Sequence, residues 1–171
     1  MSDFTKFIRD IPNFPKPGVS FKDITPLLGN GSAFNAAVEV FVNRFRSEVI
    51  DVIVGIDARG FILGAALAHR LGIGFVPIRK SGKLPFDCYE VTYDLEYGAD
   101  TLAIHQDAFP RGSRVLVCDD VLATGGTLAA SVELVKKVGG NIVGIALFLE
   151  LTEFEGRKKV GNQPIFSLVE F

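Results

Sequence analysis

Residues 115–127 read V-L-V-C-D-D-V-L-A-T-G-G-T, and this stretch decides the fold. An apolar, β-prone run from Val115 to Cys118 is followed by two carboxylates, Asp119 and Asp120. A loop of small residues, 123–127, then opens into a helix-like pattern. A turn of this kind, in which glycines connect the acidic end of a strand to a helix, favours anion binding. Unpaired backbone N–H groups lie at the helix N-terminus, and the helix dipole places partial positive charge there.

The loop residues themselves also suit a phosphate group. Gly125 and Gly126 widen the choice of backbone conformation and allow close approach, and Thr124 and Thr127 add hydroxyl donors. The common nucleotide motifs G-x-x-x-x-G-K-[ST] and G-x-G-x-x-G are absent. Ordinary turn chemistry therefore remains an alternative. Paired acids beside the loop favour a ligand with hydroxyls next to its phosphate, such as a ribose phosphate.

Composition limits the classes of partner. The 171 residues predict one domain, residues 1–171, and 18 Lys and Arg against 20 Asp and Glu offer no general basic surface for nucleic acid. No apolar run approaches a membrane span, and the acidic N-terminus is unlike a signal peptide. Cys88 and Cys118 lack metal-like spacing, which predicts free thiols in a reducing cytoplasm.

Apolar strands alternate with helical patterns from residue 52 onward, which predicts an α/β fold with a mostly parallel sheet. The predicted strands are 52–56, 73–78, 92–97, 101–105, 115–118, 142–149 and 165–169, and the predicted helices are 32–49, 61–71 and 126–138. A short helix at 4–10 is expected to precede a Pro-rich irregular loop. The charged stretch 153–159 is expected to be a solvated helix or turn.

The run 115–127, an apolar strand followed by two acids and a Thr/Gly-rich loop, closely resembles the phosphoribosyl pyrophosphate (PRPP) motif of the type I phosphoribosyltransferases. The likeness runs from about Phe14 to the C-terminus. It implies the type I phosphoribosyltransferase fold, with a mostly parallel central sheet flanked by helices. It further implies a small N-terminal hood at about residues 1–30, a flexible lid loop at about residues 80–100, and a homodimer.

For the sugar phosphate, the resemblance implies that Asp119 and Asp120 are catalytic residues that hold the ribose hydroxyls and favour an oxocarbenium-like ribose. The residues implied to bind the 5′-phosphate of PRPP and AMP are Ala123, Thr124, Gly125, Gly126 and Thr127.

For pyrophosphate, the family's D-[AS]-R-G-F turn is present at residues 57–61 and implies a contact with Arg59. The basic run R-K-S-G-K implies further contacts from Arg79, Lys80 and Lys83, with at least one arginine often reaching the neighbouring subunit's site. From the residues alone, a surface arginine and a solvated turn are the alternatives. Mg²⁺ is expected as a cofactor carried on PRPP by substrate oxygens and water, with no direct protein ligand.

For the base, residues 14–26, F-P-K-P-G-V-S-F-K-D-I-T-P, resemble the loop of the adenine-specific members. The likeness implies that Phe21 stacks on adenine while the main chains of Ser20 and Lys22 read its edge. The stretch T-Y-D-L-E-Y-G at residues 92–98 resembles their S-Y-x-L-E-Y-G marker, which implies that Glu96 is a third catalytic residue facing the base. Core packing of Phe21 and an exposed surface position for Glu96 are the alternatives.

The expected reaction is therefore adenine plus PRPP giving AMP plus pyrophosphate, a purine salvage step. One rival is the same chemistry on another base, a 6-oxopurine or orotate. The other is a PRPP-sensing regulator of the same fold, which would need a nucleic-acid-binding surface that this acidic chain does not offer.

Overall fold

The N-terminal residues form a hairpin. The computed structural model describes residues 3–94 and 98–171 of the chain. The first elements are a 3-10 turn at Thr5–Phe7, strand β1 (Arg9–Pro12), strand β2 (Ser20–Asp23) and the short helix α1 (Thr25–Gly29). Strands β1 and β2 pair antiparallel over their whole length.

The hairpin corrects the prediction for this segment. The helix predicted over residues 4–10 is wrong, and the irregular loop predicted after it contains a strand. Phe4 is buried, as its apolar spacing suggested, but the chain becomes extended at Arg9. Pro12 disfavours helical backbone at the residue before it, and β2 supplies backbone partners for the whole strand. Pairing with a distant segment thus overrides a short helical pattern.

The main sheet contains seven strands in the described residues. They are β3 (Val52–Ile56), β4 (Gly74–Lys80), β5 (Cys88–Asp94), β6 (Ala99–His105), β7 (Arg114–Leu122), β8 (Asn141–Glu150) and β9 (Ile165–Glu170). Their spatial order is β5-β6-β4-β3-β7-β8-β9, parallel from β4 to β9 and antiparallel at the β5–β6 edge. The mostly parallel sheet expected from the sequence is confirmed.

Helices cover the sheet. The remaining helices are α2 (Gly31–Phe45), α3 (Gly60–Leu71), α4 (Gly126–Val138) and α5 (Arg157–Val160), with a 3-10 turn at Thr152–Phe154. Helix α4 has the predicted bounds. Helix α2 begins before the predicted Ser32, because the Asn30 side chain caps it by accepting the Ala33 N–H at 3.0 Å. It ends at Phe45, before the predicted Val49.

Apolar side chains pack on both faces of the sheet. Consecutive residues of a strand point to opposite faces, so Val117 packs in the cluster that includes α4, whereas Leu116 packs in the cluster that includes α2 and α3. Fully burying one such side chain contributes about 1.5–3 kcal/mol. Among the helices of residues 3–94 and 98–171, none has both the length and the apolarity needed to cross a bilayer.

The topology places the charged turns at one edge of the sheet. Because β4, β3 and β7 are parallel neighbours, the turns that follow their carboxyl ends lie side by side. This is the edge where α/β sheets usually bind ligands.

Candidate active site

A cavity of about 330 Å³ opens at this edge of the sheet. It is lined by residues 57–59, from the turn after β3, and by residues 119–128, from the end of β7 through the start of α4. The structure therefore brings together the two turns that the sequence singled out separately.

Two buried carboxylates form one wall of the cavity. Asp119 and Asp120 are each only 6% exposed, and the Asp120 N–H donates to Asp119 Oδ1 at 2.9 Å. Strand β7 continues to Leu122, so both acids lie within the strand, beyond its predicted end at Cys118. Burial raises the pKa of Asp119 well above its usual value, and repulsion by Asp120 adds to that rise. Burial also raises the pKa of Asp120.

Arg59 links the opposite wall to these acids. Its Nε donates to Asp120 Oδ2 at 2.7 Å, and its positive charge opposes the rise in the pKa of Asp120. Its guanidinium carbon also lies 5.5 Å from the centre of the Phe21 ring. The next residue, Gly60, allows this approach, because a Cβ there would lie 2.6 Å from the Cys118 carbonyl oxygen. Arg59 therefore touches both the acid pair and the predicted base-binding residue.

The small-residue loop, 123–127, forms the floor of the cavity. All five of its residues line the cavity, and Gly125 immediately precedes α4 with a φ of +81°. A side chain on Gly125 would collide with the Gly156 carbonyl oxygen, and one on Gly156 would collide with the Ala123 carbonyl oxygen. The loop is thus packed against a segment that follows β8, and only glycines permit that contact.

Strand β5 approaches the start of α4. The Thr127 hydroxyl donates to the Tyr93 hydroxyl at 3.2 Å, and a Cβ on Gly126 would lie 3.1 Å from Tyr93 Cδ2. Residues 88–94 of the predicted lid are therefore a strand beside the loop. Glu96, the third predicted catalytic residue, lies outside the described residues.

The basic run lies behind the cavity. Strand β4 extends through Lys80, so Arg79 and Lys80 lie in a strand and not in the predicted turn. Arg79 Nε donates to Asp57 Oδ2 at 3.0 Å, and Asp57 lines the cavity. Lys80 pairs with Asp100 at 2.9 Å, which raises the pKa of Lys80. The exposed Lys83 contributes a carbonyl that accepts from Arg79 at 3.4 Å. None of the three basic residues lines the cavity within the described chain.

The predicted base-binding residues occupy β2. Phe21 is partly buried and packs edge-on against Phe14, with ring centres 5.4 Å apart. On the other side of the strand, the Ser20 hydroxyl donates to Asp10 at 3.1 Å and the Lys22 ammonium pairs with the same carboxylate at 2.6 Å. Asp10 thus holds the residues on either side of Phe21. Phe14 is 50% exposed and is therefore not a core residue.

One supporting group was missed by the sequence reasoning. Arg157 donates two bonds of 2.6 Å to Glu150, which is only 5% exposed and also accepts from the Ser167 hydroxyl at 2.7 Å. The bonds from Arg157 lower the pKa of Glu150 although burial opposes this shift. The charged residues of the stretch 153–159 are exposed, as expected, but Arg157 also binds a buried carboxylate, which the sequence did not predict. The only sequence signal was an acid at the end of an apolar strand, seven residues before an arginine.

No ready-made metal site is present in the described part of the chain. No group of three or more His, Cys, Asp or Glu side chains there could hold a metal ion. The free cysteines in these residues are Cys88 and the buried Cys118. Burial raises the pKa of the Cys118 thiol, so this side chain is inert core packing.

Comparisons with known proteins agree with this geometry. The family model described as phosphoribosyl transferase domain matches residues 27–165. The adenine phosphoribosyltransferase of Chloroflexus aurantiacus is 52% identical over 169 residues, which cover 99% of this chain and 98% of that protein. The crystal structure of adenine phosphoribosyltransferase from Thermoanaerobacter pseudethanolicus matches with a TM-score of 0.95 and 49% identity, covering 98% of both chains.

A third solved structure includes ligands. The adenine phosphoribosyltransferase of Saccharomyces cerevisiae, complexed with D-2,5-dideoxy-2,5-imino-altritol 1,6-bisphosphate and adenine, matches with a TM-score of 0.92. It is 40% identical, and the match covers 97% of this chain and 96% of that one.

Proposed function

Because this chain belongs to the phosphoribosyltransferase family, we propose that it transfers the phosphoribosyl group of PRPP to adenine, giving AMP and pyrophosphate in purine salvage. The type I phosphoribosyltransferase fold expected from the sequence is confirmed by the family match and the solved structures. The observation that carries the proposal is one cavity that joins a buried acid pair, a glycine loop at a helix N-terminus and Arg59. The full-length relatives, about half identical to this chain, support adenine as the base.

The acid pair would stabilise the reacting sugar. Cleavage of the bond between C1′ and pyrophosphate builds positive charge on the ribose, as glycoside hydrolysis does. Asp119 and Asp120 would accept hydrogen bonds from the ribose hydroxyls, and their negative charge would favour that transition state. Hydrogen bonds from the ribose hydroxyls and the positive charge of Mg²⁺ carried on PRPP would in turn stabilise the ionised carboxylates, whose pKa values burial raises in the free protein.

The remaining cavity groups would hold the two phosphate ends. Residues 123–127 would bind the 5′-phosphate through backbone N–H groups and threonine hydroxyls. Arg59 would bind the departing pyrophosphate, and to do so it would share or exchange its bond to Asp120. Arg79 would support this turn through Asp57, while Lys80 and Lys83 would add positive charge behind it.

The residues of this site fit a Mg²⁺ ion that enters bound to PRPP. The cavity offers carboxylate oxygens from Asp57, Asp119 and Asp120, the hard ligands that Mg²⁺ prefers, without a closed cage. We propose that substrate oxygens and water complete its coordination and that it neutralises charge on the pyrophosphate.

The base would lie against the hairpin. Phe21 would stack on adenine, and the backbone of Ser20 and Lys22 would read its edge, since their side chains are engaged by Asp10. Glu96 is proposed to position the base or to handle the proton at N7. We also propose a homodimer and a cytoplasmic location.

A base-competition assay tests the substrate. We expect AMP formation from adenine and PRPP with Mg²⁺, and little product from hypoxanthine or orotate at equal concentration. Preferential turnover of hypoxanthine would overturn the choice of base. Strong retention on duplex DNA at physiological salt, with no turnover of any base, would favour the regulator. Sedimentation of the purified protein tests the dimer.

A further inference from the structure

Lys159 lies beside the start of α4. Its Nζ is 3.6 Å from the position that a Cβ on Gly126 would occupy, next to the Tyr93 ring and the Asp94 carbonyl oxygen. Lys159 belongs to α5, well outside the stretch of sequence that forms the loop. From the sequence, Lys159 is expected only to be part of a solvated surface.

Among the residues that the structure describes, Lys159 has no carboxylate partner. In residues 3–94 and 98–171, no acid lies within ion-pair distance of its ammonium group. The preceding residue, Lys158, is comparably exposed but pairs with Glu155 at 2.5 Å. The two neighbouring lysines therefore differ: one is paired on the surface, and the other faces the loop.

The fold holds α5 in this place. The buried Glu150 fixes Arg157 at the start of α5, and Gly156 packs against the backbone of the loop at Ala123 and Gly125. The position of Lys159 is thus set by the same packing that shapes the loop.

The charges that line the cavity are unbalanced. Among the described residues, the acids that line it are Asp57, Asp119 and Asp120, and the only cationic side chain is Arg59, which bonds Asp120 and is assigned to pyrophosphate. A phosphate ester at residues 123–127 would therefore meet the partial charge of a helix N-terminus but no cation of its own. Close opposite charges near a protein surface attract appreciably, and Lys159 is the nearby cation without a partner in the described chain.

We propose that Lys159 is a further phosphate-binding residue, whose ammonium group binds the 5′-phosphate held by the glycine loop. The inference rests on the proposed function, because it assumes that the loop binds a sugar phosphate. Lys159 would supply from a separate helix the cation that the loop itself lacks.

The test compares Lys159→Ala with Lys159→Arg and with the matched control Lys158→Ala. Calorimetric binding of ribose 5-phosphate should weaken about tenfold in Lys159→Ala, equivalent to about 1.4 kcal/mol. Lys159→Arg should keep most of the affinity, and Lys158→Ala should bind as the wild type does. The salt dependence of binding should also decrease only when Lys159 loses its charge. Thermal unfolding of all three variants should match the wild type, because the side chain is exposed.

Wild-type affinity in Lys159→Ala, or an equal loss in Lys158→Ala, would overturn the proposal. A loss of adenine affinity as large as the loss of ribose 5-phosphate affinity would also overturn it, by indicating a general structural effect. Failure of the proposed function is a separate result, since the wild-type protein would then neither bind ribose 5-phosphate nor form AMP.

Discussion

Arg59 donates a charge-assisted hydrogen bond to Asp120 across the cavity, with Nε 2.7 Å from Oδ2. The bond joins the turn after β3 to the end of β7 and partly offsets the cost of burying Asp120. The same guanidinium lies over Phe21, so the side chain proposed to bind pyrophosphate contacts the groups proposed for the base and for the ribose.

The acid pair should support turnover at the expense of stability. Replacing Asp119 by Asn keeps a side-chain oxygen for the Asp120 N–H but removes a charge, so we expect AMP formation to decrease about 100-fold or more. Because burial raises the folded pKa of Asp119, the protonated carboxyl stabilises the folded protein at low pH. This contribution is lost as the pH rises through the folded pKa. Near pH 7, about where other carboxylates are ionised, the variant should therefore unfold at the same or a higher temperature.

Initial rates and thermal melts measure these two effects, and Asp107→Asn at an exposed position is the control. Asp120→Asn should lose turnover in the same way. Wild-type rates in both variants would mean that other residues hold the ribose.

Gly125 should tolerate no side chain. Gly125→Ala combines a φ of +81° with a collision against Gly156, so we expect a loss of about 3 kcal/mol in unfolding free energy or a displaced loop with a raised KM for PRPP. Gly112→Ala is the matched control, because it has a φ of +86° but nothing within 4 Å of the added Cβ. It should cost only about 1 kcal/mol, with no change in KM. Equal results in denaturant titrations of the two variants would contradict the packing argument.

Phe21 should contribute to base binding more than to folding. Phe21→Ala removes the proposed stacking surface, so the affinity for adenine should decrease by about 1–3 kcal/mol while PRPP binding changes little. Phe14→Ala is the comparison, since that ring touches Phe21 edge-on but is 50% exposed. Calorimetry with each ligand separates the effects. Equal losses for adenine and PRPP in Phe21→Ala would indicate a packing role.

The Glu150–Arg157 pair should stabilise the protein in a pH-dependent way. Glu150→Gln removes the charged partner that Arg157 contacts at 2.6 Å, leaves the more distant Glu170 at 3.6 Å, and should cost about 1–3 kcal/mol near neutral pH. Because the folded pKa of Glu150 is lowered from 4.5, the contribution is complete above that value and is lost as the pH falls through the folded pKa. The two proteins should therefore converge in acid.

Urea titrations at several pH values measure this difference, with the exposed Glu153→Gln as the control. A difference that stays constant into the acid range would mean that the ionisation of Glu150 is irrelevant to stability.

Local patterns were sufficient to predict the frame of the fold. The apolar run Val52–Ile56 forms a fully buried strand, and α4 has its predicted bounds because glycines in left-handed conformation, Gly125 and Gly139, flank it. The acid pair and the loop were recognisable for the same reason, since they are adjacent in the chain and one turn positions them.

Contacts between distant segments could not be predicted in this way. The sequence pattern of Arg79 and Lys80 predicts a basic turn, yet their acid partners come from other elements: Asp57 from the turn after β3, and Asp100 from strand β6. In the sequence, Arg157 cannot be distinguished from the surface lysines that follow it. Only the folded chain shows that it binds a buried carboxylate. The identity of a charged residue does not show whether its side chain is solvated or paired, because tertiary packing decides its environment.

The sheet also separates two apolar clusters, one on each of its faces. The hairpin side contains Ile24 and Leu27, in one apolar cluster with α2 and α3, whereas Leu128 and Tyr93 belong to the cluster on the opposite face. A nucleotide with its base at Phe21 and its phosphate at Gly126 would lie across the edge of the sheet and contact both sides of it. The bound nucleotide would then contact the apolar layers on both faces of the sheet. Amide hydrogen exchange should therefore slow on both faces when AMP is added.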